Sequence, residues 1–518
     1  MKMFLIAGAL FILCSLTFYG VNTLKPSKSA RSSITIGFPG AWGSLEPPSQ
    51  HTMLGDAILG NQFEPLVDME RGGMIVPFAA RSWKVSHDYR KYTFKIDPSR
   101  KFSDGSRLTA MDFKRSWEEG FKIQSKLAMK SMMDVLYKIE GVDKFSERGE
   151  ISGLQVIDDE TFEVNFSTPF RIALDHLTGS RFAAFKIVNG KYIGTGPYVI
   201  EESNVDKVTL KKNPFAKLPG MDTVFVVSKP AQQCESDIKN GLIDVYAFAG
   251  RLSYSGPCHN EEIGCIEGFE AAHNVALVNG LPGRIFEDPT LRLALQYILT
   301  QENMGINPAG MFPDGILLNK EIDPQPFLNL QAGRLPNKEA FEIIAEGKNQ
   351  IDKLVNASKK RPLVLVYGKG SIVADVVMKI LNGYGVKIGR QLETLSTGET
   401  QQIMNVKKEA DIALIRSSVV DGDPDGIYHA LGKNGAIASE MTLRPRVSQL
   451  LEEGREIQDI TKLDEHYRKV SVAILSEVPW VHFGFLLEKT VYRADRLNVN
   501  FRHIKSRIRE PFSIFEVK

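Results

Sequence analysis

Asn61 to Gly120 reads NQFEPLVDMERGGMIVPFAARSWKVSHDYRKYTFKIDPSRKFSDGSRLTAMDFKRSWEEG, and its parts stand in a definite order. A short helix-like run ends in Glu64-Pro65-Leu66-Val67, and an extended segment follows at Ile75-Val76-Pro77 and Ala80. From Trp83 to Ile96 the apolar residues Trp83, Val85, Tyr92, Phe94 and Ile96 alternate with polar ones on either side of His87-Asp88-Tyr89-Arg90. Period two with a polar interruption is a hairpin that buries one face. Asp104-Gly105 is a turn dipeptide, and Thr109 stands three residues before Asp112, a capping-box-like helix start. Phe113 and Trp117 then lie four residues apart, which places both on one inward stripe of that helix.

At 518 residues the chain exceeds one ordinary core, so two or three lobes are expected. Lys plus Arg total 64 against 62 Asp plus Glu, a balance that points away from a polyanionic partner such as nucleic acid. The first residues differ from the rest. Met1-Lys2 precedes an apolar, uncharged run from Met3 to Tyr19, and polar Lys25 to Ala30 follows. That is a secretory signal over residues 1–30, or an uncleaved membrane anchor, since the run is about long enough to span a bilayer. Cys14 lacks the small residue expected before a lipidated cysteine, because Phe11-Ile12-Leu13 precede it. The body is expected to be exported, to the periplasm or the outer face of the cytoplasmic membrane, touching the membrane only through this segment.

Export sets the redox context of the cysteines. Cys258 and Cys265 enclose the polar loop His259-Asn260-Glu261-Glu262-Ile263-Gly264, and an oxidising compartment favours a local disulfide there. The rival reading is a metal site with His259 as third ligand, which lacks zinc-finger spacing and a fourth ligand. Cys234 is left over, on a helix before Gly241, as a small buried apolar residue. Enzyme signatures are missing: no Gly-x-Ser-x-Gly elbow, His-Glu-x-x-His pair or Walker loop occurs. Gly368-Lys369-Gly370-Ser371 lacks Walker spacing and reads as a turn with an exposed lysine. No cofactor is expected, and the chain is read as a non-enzyme.

The ordered elements of Asn61 to Gly120 resemble family 5 extracellular solute-binding proteins, the oligopeptide, dipeptide and nickel receptors of ABC importers. Further pieces match in sequence: the loop Pro39 to Pro47 after strand Ile34-Thr35-Ile36, Gly194-Thr195-Gly196-Pro197-Tyr198, Lys211-Lys212-Asn213-Pro214-Phe215, Asn240 to Val245, and Arg292-Leu293-Ala294-Leu295. The likeness runs from about Ile34 to Phe515. It implies an α/β, two-lobed periplasmic-binding-protein type II-like fold (cluster C) with an extra subdomain inserted in lobe I. On that reading lobe I comprises 31–67, 193–270 and 486–518, the inserted subdomain 68–192, and lobe II 271–485. The crossovers near Ala271 and Phe485 are the expected hinge. Strands alternating with helices past His273, including Pro362 to Tyr367 and Ile412 to Ile415, imply a substantial parallel component in lobe II.

The resemblance also implies a monomeric receptor whose partners are a peptide or other small polar solute and ABC transporter permease subunits. It places Trp42, Glu46 and Asn279 in the cleft. Arg416, Asp421 and Asp423 join them because a zwitterionic solute needs both signs of charge. One departure stands out. Peptide-binding members carry an aspartate four residues before the proline of this segment, pairing with the peptide amino terminus, whereas this chain has Val420 before Pro424. Ser417 also stands where many members carry a cleft tryptophan. Asp421 replaces the lost charge if the loop shifts by one residue; otherwise Asp421 and Asp423 are turn formers. Two functions follow: a transport receptor for a peptide or similar solute, or the same scaffold as a non-transport surface or signalling receptor for a non-peptide ligand.

Overall fold

The structure, a computed structural model, describes residues 33–50, 52–69, 75–127, 133–216, 220–250, 256–267, 272–301, 337–369, 371–394, 399–400, 402–418, 426–432, 444–457, 459–485, 488–499 and 512–518. Its two main sheets divide the chain into two lobes. The first has seven strands, in the order Tyr198–Ser203, Lys207–Lys212, Thr223–Ser228, Ser33–Phe38, Val245–Gly250, Glu488–Arg493 and Ile263–Glu267. Near-carboxyl-terminal Glu488–Arg493 thus lies between two earlier strands, antiparallel to both. The second has five strands, in the order Ile388–Thr394, Leu363–Gly368, Ile412–Ser418, Ala272–Val278 and Trp480–Phe485. Leu363–Gly368 is parallel to both its neighbours, and the pairings of Ala272–Val278 are antiparallel.

A separate four-stranded antiparallel sheet, Ala80–Val85, Lys91–Ile96, Thr161–Asn165 and Leu154–Asp158 in spatial order, carries the inserted subdomain. Trp83 faces Phe94 and Val85 faces Tyr92 across the hairpin. Tyr92, Phe94 and Ile96 are fully buried, but Val85 is 36% exposed, because Ala80–Val85 is the sheet's edge strand. The expectation that Val85 shares the buried face is corrected here. Helix Ala110–Leu127 starts as its sequence implies: Asp112 Oδ2 accepts from the Thr109 backbone N–H and from its hydroxyl, each at 2.8 Å. Phe113 and Trp117 have no exposed surface, and Trp117 Nε1 donates to the Phe182 carbonyl at 2.8 Å.

Upstream, the helix is Met53–Leu59, ending five residues before Glu64. Asn61 turns back to donate from Nδ2 to the Ala57 carbonyl at 2.8 Å, so 61–66 is free to run as a connector. Glu64 on that connector is 1% exposed and pairs with Arg100 Nη1 of the inserted subdomain at 2.6 Å. It also accepts from the Thr195 hydroxyl at 2.9 Å. Burial pushes the Glu64 carboxyl above its usual range, with Arg100 and Thr195 pulling it partly back. Gly194 and Gly196 pack on the same connector. In sequence the two glycines read as suppliers of backbone angles closed to other residues, but neither adopts a left-handed conformation. A Cβ at Gly194 would lie 2.2 Å from the Gln62 carbonyl oxygen, and one at Gly196 2.7 Å from that of Asn61. Close backbone approach is what excludes a side chain there.

Cys258 and Cys265 are joined, with Cα atoms 5.3 Å apart. The bond ties residues 258–262 to edge strand Ile263–Glu267. Cys234 is buried within helix Ala231–Lys239, its thiol pushed up to about 12 by desolvation. Replacing both bonded cysteines with serine should lower the unfolding free energy of the seven-stranded lobe by about 2–3 kcal/mol, as expected for closing so short a loop. Urea melts with and without reductant would measure this. A wild-type melt insensitive to reductant, with both thiols verified as reduced, would contradict it. Among the described residues no helix is long and apolar enough to cross a membrane, and residues 1–30 lie outside them.

Candidate functional site

Strand direction locates the cleft. Ser33–Phe38 is parallel to Thr223–Ser228 and to Val245–Gly250, so all three carboxyl ends point the same way. Gly250 pairs with Glu488 and Glu267 with Lys489, which brings both chain passages between the sheets to that end. In the five-stranded sheet, Ala272 pairs with Ser418, His273 with Phe485 and Gly368 with Thr394. The carboxyl ends of its three mutually parallel strands therefore also lie where the chain enters and leaves. Open α/β sheets bind ligands in the crevice beyond such ends, and here two sets of ends adjoin the same pair of crossovers. Residues 268–271 and 486–487, the crossovers themselves, lie outside the described residues.

The sequence-derived residues divide on this frame. Residues 39–46 leave the seven-stranded sheet at its crossover end, so Trp42 and Glu46 belong to the right edge. Trp42 is only 3% exposed and packs with Ile34, Phe38 and Ala57. Its carbonyl accepts from the Thr52 hydroxyl at 2.6 Å and from Gln50 Nε2 at 3.2 Å. The ring supports the loop from beneath. Glu46 is exposed, and its carboxylate accepts from the Ser49 hydroxyl at 3.4 Å. Burial raises the pKa of the Tyr192 hydroxyl, and the Glu46 charge adds to this.

Asn279 requires a correction. It follows the carboxyl end of Ala272–Val278, and Val278 pairs with Ile412 at the end of the sheet opposite Ser418. Seven residues of strand put it about 20 Å from the crossover end. It is fully buried, its Nδ2 donates to the Ala410 carbonyl at 2.7 Å, and its Oδ1 accepts from the Leu281 N–H at 3.1 Å. Asn279 ties a distal turn together and does not line the cleft. Arg416 pairs through its backbone with Asn274, two residues from the crossover end. The Arg416 side chain, and all of Val420, Asp421 and Asp423, lie outside the described residues.

One contact between the lobes was not foreseen. Arg455, in helix Pro445–Glu456 of the second lobe, is 8% exposed. Its guanidinium carbon sits 3.2 Å from the ring centroid of Tyr428, in helix Gly426–Leu431. It also lies 5.8 Å from the ring centroid of Phe170, in the inserted subdomain. No sequence periodicity connects Phe170 with Arg455, and only the assembled lobes bring them together.

Comparison with known proteins agrees with this architecture. The family of bacterial extracellular solute-binding proteins, family 5 Middle, matches residues 74–439. The chain belongs to this family. It is 23% identical over 319 residues to the nickel-binding periplasmic protein of Escherichia coli K12, covering 57% of this chain and 55% of that protein. It thus spans about half the length of that relative. To the probable deoxycholate-binding periplasmic protein YgiS of the same strain it is 22% identical over 485 residues, 85% of each. Among solved structures, OppA of Burkholderia pseudomallei superposes with a TM-score of 0.74 at 16% identity, covering 95% of this chain and all of the other. The murein tripeptide binding protein MppA of Escherichia coli gives 0.73 at 17% identity, covering 95% and 99%. Its unliganded open form gives 0.59 over 95% and 98%. The fold is therefore the two-lobed type II-like arrangement of this family of binding proteins, and the Escherichia coli relatives named here are periplasmic.

Proposed function

We propose that this chain is an extracytoplasmic receptor that captures a peptide or similar polar solute between its lobes and delivers it to the permease of an ABC importer. The observation that carries this reading is the convergence of strand carboxyl ends from both sheets on one pair of crossovers. Loop 39–46 leaves one sheet at this end, and strand Ile412–Ser418 of the other sheet ends there, with Ser418 paired to Ala272. Glu46 supplies an exposed anion on the first side. Arg416, Asp421 and Asp423, from their place in the chain, supply both signs on the second. Such a site suits a zwitterion, since each terminal charge of the solute then meets an opposite one.

Native mass spectrometry of protein purified from its own host should find peptide masses bound. A homogeneous non-peptide mass would overturn the substrate class. If Asp421 anchors the solute's ammonium, Asp421→Asn should weaken binding of the co-purified peptide by about 2–5 kcal/mol, the usual loss when one partner of a buried charge pair is removed. Isothermal calorimetry reads that directly. An unchanged affinity would remove Asp421 from the site and favour a solute without a free amino terminus.

A further inference from the structure

We propose that Arg455 and Phe170 form a latch that holds the second lobe against the inserted subdomain when the receptor is closed. This rests on the solute-binding reading only for its purpose; the contact itself is independent of any ligand. Phe170 offers a fixed surface. Its carbonyl accepts from the Tyr92 hydroxyl at 2.7 Å, its backbone N–H donates to the Tyr89 carbonyl at 2.9 Å, and its ring meets Phe166 edge-on at 5.2 Å. The residue is 1% exposed. Arg455 is equally constrained on its own side. Its guanidinium lies on the Tyr428 ring, whose hydroxyl donates to Glu452 one turn earlier in the same helix. Both partners are therefore positioned before they meet, so little side-chain freedom is lost in joining them.

The chemistry suits a reversible latch. A guanidinium over an aromatic face is attracted by the ring's quadrupole, and more strongly where water is excluded, as the low exposure of both residues indicates. Opening the lobes would take the cation off Phe170 and return both to water, a modest penalty that closure recovers. Other groups bear on the same ring: the Lys138 cation, with Nζ 5.3 Å from its centroid, and the His176 ring, stacked on it at 5.6 Å, both from the inserted subdomain. These remain with Phe170 when the lobes part, so Arg455 is the member of the group that reports closure. Tyr428 lies just past the segment that carries Asp421 and Asp423.

The test uses ligand-free full-length protein and single-molecule energy transfer between dyes at Tyr137→Cys in the inserted subdomain and Lys338→Cys in the second lobe, both well exposed. Arg455→Met keeps the length of the side chain and removes the charge; Arg455→Lys restores a cation. Arg455→Met should reduce the closed-to-open ratio on the order of tenfold, the scale of a desolvated cation–π contact, and Arg455→Lys should recover part of it. Phe170→Leu should act like Arg455→Met, and the double variant should add little, with thermal melts confirming that each variant folds. Equal ratios in wild type and Arg455→Met would overturn the latch, as would a wild type with no closed population or full additivity in the double variant. Because no ligand is present, each of these failures leaves the solute-binding reading standing, which the bound-mass measurement tests separately.

Discussion

Trp117→Ala is expected to lower the unfolding free energy of the inserted subdomain by about 3–5 kcal/mol, the usual loss for emptying a fully buried aromatic site. Trp117 is the centre of this core. Its ring meets Phe162 and Phe182 edge-on, each at 5.4 Å, and has no exposed surface. Two further terms push the loss to the upper end. The Phe182 carbonyl loses its donor at a buried position, and Phe113, stacked on Phe162 at 6.0 Å, loses the support behind it. Phe182 also belongs to the 3-10 turn Ser180–Phe182, so the vacancy reaches the segment that returns the chain toward the seven-stranded sheet. Urea unfolding followed by the fluorescence of the remaining tryptophans, together with limited proteolysis within residues 75–192, would resolve the effect. A loss under about 1.5 kcal/mol would show that neighbouring rings collapse into the space.

Arg100→Ala should cost about 3–5 kcal/mol at pH 7, as expected when one partner of a buried ion pair is removed, and clearly less near pH 4.5. The direction follows from Glu64. Its folded pKa already lies above the ordinary 4.5 because burial outweighs the help of Arg100 and Thr195. Between 4.5 and that raised value the folded protein holds a proton that the unfolded chain has released, so stability falls as pH rises through this window. Removing Arg100 takes away the strongest influence opposing the rise. The folded pKa then climbs further, and the window of falling stability extends upward. The difference between wild type and variant therefore grows from pH 4.5 toward neutrality. Chemical denaturation at several pH values measures it, and a pH-independent difference would mean that removing Arg100 leaves proton binding at Glu64 unchanged. Arg100 is 29% exposed along its side chain, so its contribution reaches Glu64 from a partly solvated position.

Sequence reasoning succeeded where local chemistry and burial agree. The Asp104-Gly105 turn, the Thr109–Asp112 helix start and the inward pair Phe113 and Trp117 each follow from a few neighbouring residues, and the structure reproduces them. It failed where the environment decides. Val85 has the alternation of a core residue but sits on an edge strand. Gly194 and Gly196 look like residues needed for unusual backbone angles, yet what they provide is room for the backbone of Asn61 and Gln62. Asn279 was placed in the cleft by the family resemblance, on the strand after the crossover. The antiparallel register shows that this strand leads away from the cleft. The Phe170–Arg455 contact had no signature at all, since neither residue is unusual in its own segment.

The position of Glu488–Arg493 bears on how the protein is made. This strand fills the gap between Val245–Gly250 and Ile263–Glu267, and Arg493 Nη1 reaches the Ile238 carbonyl, a residue 255 positions earlier. The Phe512 backbone N–H even donates to Asn61 Oδ1 across 451 positions. The five-stranded sheet, by contrast, draws all its strands from one continuous stretch and can assemble as soon as Phe485 is available. During synthesis the later-starting lobe is therefore complete first. Until Glu488–Arg493 is made, Val245–Gly250 has an unpaired edge, and Ile263–Glu267, which pairs only with Glu488–Arg493, has no partner strand in this sheet. Contacts so distant in sequence close slowly, and an unpaired strand edge is a template for foreign strands. A chain of this topology gains most from a chaperone during the interval between emergence of Ile263–Glu267 and arrival of Glu488–Arg493, a hazard set by strand order alone.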